Sequence, residues 1–182
     1  MGRDWSDVER AVDEAERYGV VGACFLAPDG ERWTREGERR FKAASVVKIP
    51  LMVEIYRRVD AGQMRLDDPH RLTAADKAEG SGVLLHLHEG LTVTLEDLVY
   101  LTMSISDNTA TNILIRKVGM DAVNATIRRL GMTGSNLGRE MKGRPAEPGE
   151  QENWATPLDY ATAIQALLDG RAAGGSAGAP AW

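Results

Sequence analysis

Ala44-Ser45-Val46-Val47-Lys48-Ile49-Pro50 opens the segment whose reading decides the fold. From Ala44 onward the apolar spacing turns helical. Ile49, Met52, Val53, Tyr56 and Val59 mark one face, and Gly62 follows as a stop. Pro50 sits early in this helix and predicts a distorted or short first turn. Ser45 and Lys48 stand at i and i+3, which puts a hydroxyl and an amine on one face, one turn apart. A serine hydroxyl is a weak nucleophile and needs a base nearby. A lysine amine serves as that base where burial or a cationic neighbour lowers its pKa. A serine at a helix start also lies close to backbone N–H groups free to stabilise an oxyanion. By itself the pattern says little, because Ser-x-x-Lys arises roughly once in every couple of chains this long.

Working outward from Ser45 towards the N-terminus, Ser6-Asp7-Val8-Glu9 has the form of a capping box. Val8, Ala11, Val12 and Ala15 follow at helical spacing, so a helix is expected over about residues 6–18, ended by Gly19. The apolar run Val20 to Ala27 is expected as a strand, and Pro28-Asp29-Gly30 as a turn. Further strands fit 31–35 and 38–42, giving a small antiparallel meander. Cys24, the one cysteine, falls in the first of these strands and is expected as a small buried core residue.

Towards the C-terminus the pattern is helical. Residues 67–82 are polar and turn-rich. Thr94-Leu95-Glu96-Asp97 opens a helix with Leu95, Leu98, Val99, Thr102 and Ile105 inward. Ser106-Asp107-Asn108 interrupts it. Further helices fit Thr109 to Val118 and Asp121 to Leu130, each followed by Gly. Residues 132–155 form a long aperiodic loop, a length usually associated with function or disorder. Thr156-Pro157 opens the last helix. One domain is therefore expected over residues 1–170, with 171–182 a flexible Gly/Ala-rich tail.

Bulk properties narrow the function. The chain has 182 residues and a formal net charge of −5, spread along its length. No basic block argues for nucleic acid or an anionic membrane. The pairs Arg57-Arg58 and Arg128-Arg129 fit solvated helix faces. No apolar stretch follows the N-terminal charges and no membrane-spanning run occurs, which predicts a cytoplasmic chain as written. A secreted or periplasmic protein is expected instead if a leader was removed. His86 and His88 stand two apart, with His70 the only other histidine and no acidic cluster beside them. They are expected as ordinary side chains, and no metal or organic cofactor is expected.

Ser106-Asp107-Asn108 is the rarer motif, arising by chance in roughly a few per cent of such chains. Its plainer reading is a helix N-cap. Taken with Ser45-x-x-Lys48, Gly80-Ser81-Gly82 and Ala110-Thr111-Asn112, it resembles the class A β-lactamase and penicillin-binding serine hydrolase family, in which S-x-x-K is followed by S-D-N and K-T-G. The likeness runs from about Gly19 to Gly170. It implies an α/β fold in which a small antiparallel sheet flanked by helices sits beside a mostly helical subdomain, with the site between them. It implies acyl transfer to Ser45, with Lys48 taking the proton, Ser106 passing one to the leaving nitrogen and Asn108 positioning a β-lactam or related amide. A non-hydrolysing penicillin-binding protein, an inactive fragment, and a related peptidase or esterase carry the same motifs.

Two departures stand out. The sequence has no Lys-Thr-Gly or Lys-Ser-Gly. In the family that motif lies on a strand after the last helix, so these C-terminal strands are expected to be missing. An unpaired sheet edge would follow, open to self-association or to a complementing chain. The family's deacylating Glu stands in an E-x-x-L-N setting in the long loop. Counting back from Thr156-Pro157 lands on Glu140, but Met141-Lys142-Gly143-Arg144 follows it, with Glu147, Glu150 and Glu152 as rivals.

Overall fold

The computed structural model describes residues 2–172. Six helices dominate: α1 (Ser6–Glu16), α2 (Lys48–Asp60), α3 (Leu95–Ser104), α4 (Asn108–Val118), α5 (Met120–Arg129) and α6 (Pro157–Leu168). The strands are β1 (Ala23–Leu26), β2 (Arg32–Arg35), β3 (Phe41–Lys42), β4 (Pro69–Arg71), β5 (Thr92–Thr94) and β6 (Trp154–Ala155). The architecture is α/β, as expected, but the sheet is not a three-stranded meander. β1 pairs with β2, while β3 pairs antiparallel with β6, Phe41 facing Ala155 and Lys42 facing Trp154. A strand partner more than a hundred residues away leaves no trace in a local pattern. β4, inside the stretch 67–82 expected only to turn, forms a third pair with β5.

The N-terminal elements are lightly buried. The expected capping box at Ser6 does not form; the Asp4 carboxylate accepts the Ser6 N–H at 2.9 Å instead. Only Val12 of α1 is buried. Arg35 of β2 ties the helix down, donating to Asp13 and Glu16 at 2.8 and 2.6 Å. Cys24 is half-buried rather than buried, and Phe25 and Leu26 are exposed. Among the described residues the other edge of β1 carries no strand.

The core lies in the helical half. Leu51 and Ile55 of α2, Leu95 and Leu98 of α3, Ile113 and Leu114 of α4 and Val123 and Ile127 of α5 are all essentially inaccessible. Each such side chain contributes about 1.5–3 kcal/mol on burial. Ile105, expected inward, is exposed, because α3 ends at Ser104 and residue 105 no longer follows the helical face. α2 starts from a 3-10 turn, Ala44–Val47, which is the tight first turn that Pro50 predicts. Arg171 and Ala172 close the end of α6 through bonds to the Ala166 carbonyl; the remainder of the expected tail lies outside the described residues. No helix among the described residues is long and apolar enough to cross a membrane.

One buried carboxylate locks α2 to α5. Glu54 is 1% exposed. It accepts from Arg57 at 2.9 Å, Arg58 at 2.7 Å and Thr126 at 2.7 Å. Arg57 and Arg58 are thus clamps rather than a solvated pair. Burial pushes the Glu54 pKa up, but the bonds from Arg57, Thr126 and Arg58 outweigh it and hold the group at about 2. Removing one partner of a buried pair leaves the others unpaired, so Glu54→Ala is expected to cost about 3 kcal/mol and lower Tm by roughly 6–12 °C. The carboxylate's contribution is complete above its ordinary pKa of 4.5 and lost as the pH falls towards about 2. Thermal unfolding of both chains from pH 7 to pH 2 checks this: their Tm values should converge at the acid end.

Candidate active site

Two strained residues bracket the site. Ala44 has φ 44° and Ser106 φ 59°, left-handed values unusual for side-chain-bearing residues and commonly held at functional positions. Ala44 turns the chain from β3 into the 3-10 turn that carries Ser45. Ser106 sits where α3 has stopped and α4 has not begun. Together they bring the two motifs, sixty residues apart, face to face.

Asp107 makes the second motif rigid. It is 1% exposed, and one carboxylate oxygen accepts the Ala110 N–H at 2.9 Å, capping α4. The other oxygen accepts the N–H groups of Val83 and Leu84 at 2.6 and 2.9 Å, capping the opposing turn. The plain N-cap reading therefore holds for Asp107, and it leaves Ser106 and Asn108 free for other work. The Gly80-Ser81-Gly82 segment packs directly on this motif. A Cβ at Gly80 would stand 2.3 Å from Asn108 Nδ2, and one at Gly82 2.3 Å from the Asp107 carboxylate, at φ +106° and +120°. Only glycine fits either place. Between them Ser81 donates to the Ser106 carbonyl at 2.7 Å.

Lys48 is the hub. It is 2% exposed, and its ammonium donates to the Ser106 carbonyl at 2.6 Å, Ser106 Oγ at 2.8 Å and Asn108 Oδ1 at 3.0 Å. Ser106 Oγ in turn lies 2.5 Å from Ser45 Oγ. A hydroxyl rotates freely, so the chain Ser45–Ser106–Lys48 can carry a proton in either direction. Burial lowers the Lys48 pKa to about 8, with the Asp107 charge pulling the other way. A useful fraction is then neutral near pH 7. Asn108 lines the cleft, but its oxygen holds Lys48 and its amide donates to the Glu79 carbonyl at 2.9 Å.

Ser45, Ser81, Asn108 and Met141 border a cleft of about 410 Å³. A larger concavity of about 580 Å³ beside β2, lined by Arg32, Glu38 and Arg39, lies apart from the motif residues. Glu140 does not reach the cleft. Both its carboxylate oxygens accept from Arg116, each at 2.9 Å, and Arg116 also reaches Asp76 at 3.3 Å. The residue that borders the cleft is Met141, whose N–H and C=O are both bonded by the Asn112 side chain at 2.8 Å. The other loop glutamates are paired too: Glu147 with Arg144, Glu150 with Arg144 and Lys142, and Glu152 with Arg139. Glu152 is the one carboxylate lining the cleft, and it also accepts the N–H groups of Ala146 and Asn153. Arg116 and Arg139 carry no signal in the sequence alone, and Asn112 shows only as part of the segment Ala110-Thr111-Asn112, since each acts through a contact distant along the chain.

Residues 6–180 match the Beta-lactamase enzyme family. The chain belongs to that family. A β-lactamase from Sphaerobacter thermophilus is 66% identical, with a TM-score of 0.92 over 93% of this chain and 64% of that one. A β-lactamase from Rhodobacter capsulatus is 32% identical over 143 residues, 78% of this chain and 48% of the relative. PBP-A, at 23% identity and a TM-score of 0.81, shares the fold over 93% of this chain and 64% of its own. The chain spans about half the length of the relatives Rhodobacter capsulatus β-lactamase, BRO-1 and CARB-3.

The geometry of the loop yields a direct test. Because its carboxylate is committed to Arg116 outside the cleft, Glu140→Gln is expected to leave the release rate of an acyl group on Ser45 within about twofold, while lowering stability by up to about 1 kcal/mol. Timed intact-mass spectra and a urea melt check the two halves of this expectation. A release rate that falls a hundredfold would place Glu140 back in the chemistry.

Proposed function

We propose that this chain performs acyl transfer on a β-lactam amide, with Ser45 as nucleophile and water as the final acceptor. The observation that carries the reading is the hydrogen-bonded line Ser45 Oγ–Ser106 Oγ–Lys48 Nζ, with steps of 2.5 and 2.8 Å, opening on the cleft. Neutral Lys48 draws a proton from Ser106 as Ser106 takes the proton of Ser45. Ser45 Oγ bonds to the lactam carbon, and the Ser45 N–H, early in its 3-10 turn, is placed to hold the oxyanion. When the carbon–nitrogen bond breaks, Ser106 gives a proton to the nitrogen and is refilled from Lys48. Water then cleaves the ester, returning Ser45 and a carboxylic acid.

The last step is the slow one in this proposal. Every glutamate of the long loop is ion-paired, and the cleft presents Met141 where a base for water would be useful. The acyl-serine should therefore accumulate before it turns over. Intact-mass spectrometry with a penicillin tests this: a single adduct on Ser45 that outlives its formation supports the reading, and no adduct on a folded chain sinks it.

Two further expectations follow from the relay. Ser106→Ala should slow adduct formation on the order of a hundredfold, since it removes the link between nucleophile and base. Lys48 works in its neutral form, so the acylation rate should rise about tenfold per pH unit in acid and level off above its pKa of about 8. Stopped-flow acylation rates from pH 5.5 to 9.5 check the profile; a flat profile would remove Lys48 as the base.

A further inference from the structure

The cleft is basic in an acidic protein. The chain's formal net charge is −5, yet the cleft is lined by Lys42, Arg139, Lys142 and Arg144 against one carboxylate, Glu152. Three of these cations are committed. Arg139 pairs with Glu152, and Lys142 and Arg144 share Glu150. Lys42 differs: among the described residues its ammonium has no ion pair and no hydrogen bond. Its backbone is fixed, because β3 is paired to β6 at Trp154 and the next residue, Ala43, donates its N–H to the Asn153 carbonyl at 2.8 Å. It is an unpartnered cation on a rigid base, three residues before the nucleophile.

Its place also says which half of a substrate it meets. The leaving nitrogen must lie beside Ser106, which protonates it, on the helical wall. Lys42 belongs to the opposite wall, formed by β3, β6 and the loop. We infer that Lys42 is a specificity-determining residue that takes a carboxylate on the acyl half of the substrate. This rests on the acyl-transfer reading above. A cation whose field is focused by a low-dielectric cleft attracts an anion more strongly than one on an open surface. The chain should then favour substrates with an acidic acyl side chain over neutral ones.

A matched pair tests this: α-carboxybenzylpenicillin and benzylpenicillin, which differ by one carboxylate on the acyl side chain. Second-order acylation rates are read by intact mass on the full chain. The native chain should prefer the diacid about fivefold, a ratio in keeping with one partly exposed ion pair. Lys42→Met should bring the ratio to about one, Lys42→Arg should preserve it, and salt should erode it in the native chain. An unchanged ratio in Lys42→Met, or equal loss in Lys42→Arg, overturns the inference. If neither compound acylates, the acyl-transfer reading falls, and the same ratio measured as Kd on Ser45→Ala by calorimetry decides this one by itself.

Discussion

A lysine that is 2% exposed must find acceptors inside the protein, and Lys48 finds all of them on a segment sixty residues away. That contact joins the 3-10 turn carrying Ser45 to the break between α3 and α4. It costs the ammonium its water, which is why its pKa falls to about 8. On the proposed reading desolvation and catalysis are one arrangement: the burial that leaves part of the amine neutral near pH 7 also places it against the hydroxyl that delivers a proton. Ser106 stands at a left-handed φ of 59° to serve both neighbours.

Such a contact holds only if the Ser106 segment cannot drift. Asp107 supplies the restraint by capping α4 with one oxygen and the Val83–Leu84 turn with the other. The three consecutive residues of this motif divide the labour. The outer two bond Lys48, and the buried middle one ties two elements together. Gly80 and Gly82 permit the approach, since any Cβ there would collide with Asn108 or Asp107. On the proposed reading, a motif that looks like a cap is both cap and reaction centre.

The sequence announced the helices well, because α2 to α6 bury continuous apolar faces and their stops are glycines or caps. Ser45, Lys48, Ser106 and Asn108 were legible as a motif pair, and the structure brings all four together. What was not legible depended on pairing across distance. β3 has its partner at β6, over a hundred residues on, so a meander looked equally good. Arg57 and Arg58 looked solvated until the buried Glu54 gave them an acceptor. Glu140 was reached by counting along a loop, but direction in a loop alternates unpredictably, and the side chain that borders the cleft is its neighbour Met141.

That one-residue difference bears on the chemistry. On the acyl-transfer reading, acylation needs a nucleophile, a base and a proton path, and Ser45, Ser106 and Lys48 are linked for this by successive hydrogen bonds. Deacylation needs a base for water on the loop side. There Arg116 holds both oxygens of Glu140, while Asn112 bonds the backbone N–H and C=O of Met141, the residue that borders the cleft. A carboxylate held bidentately by a guanidinium has both oxygens occupied, so it offers no free oxygen to a water. On the proposed reading the two halves of the reaction are unequally prepared, and the inequality lies in one ion pair and one amide clamp rather than in the motifs that define the family.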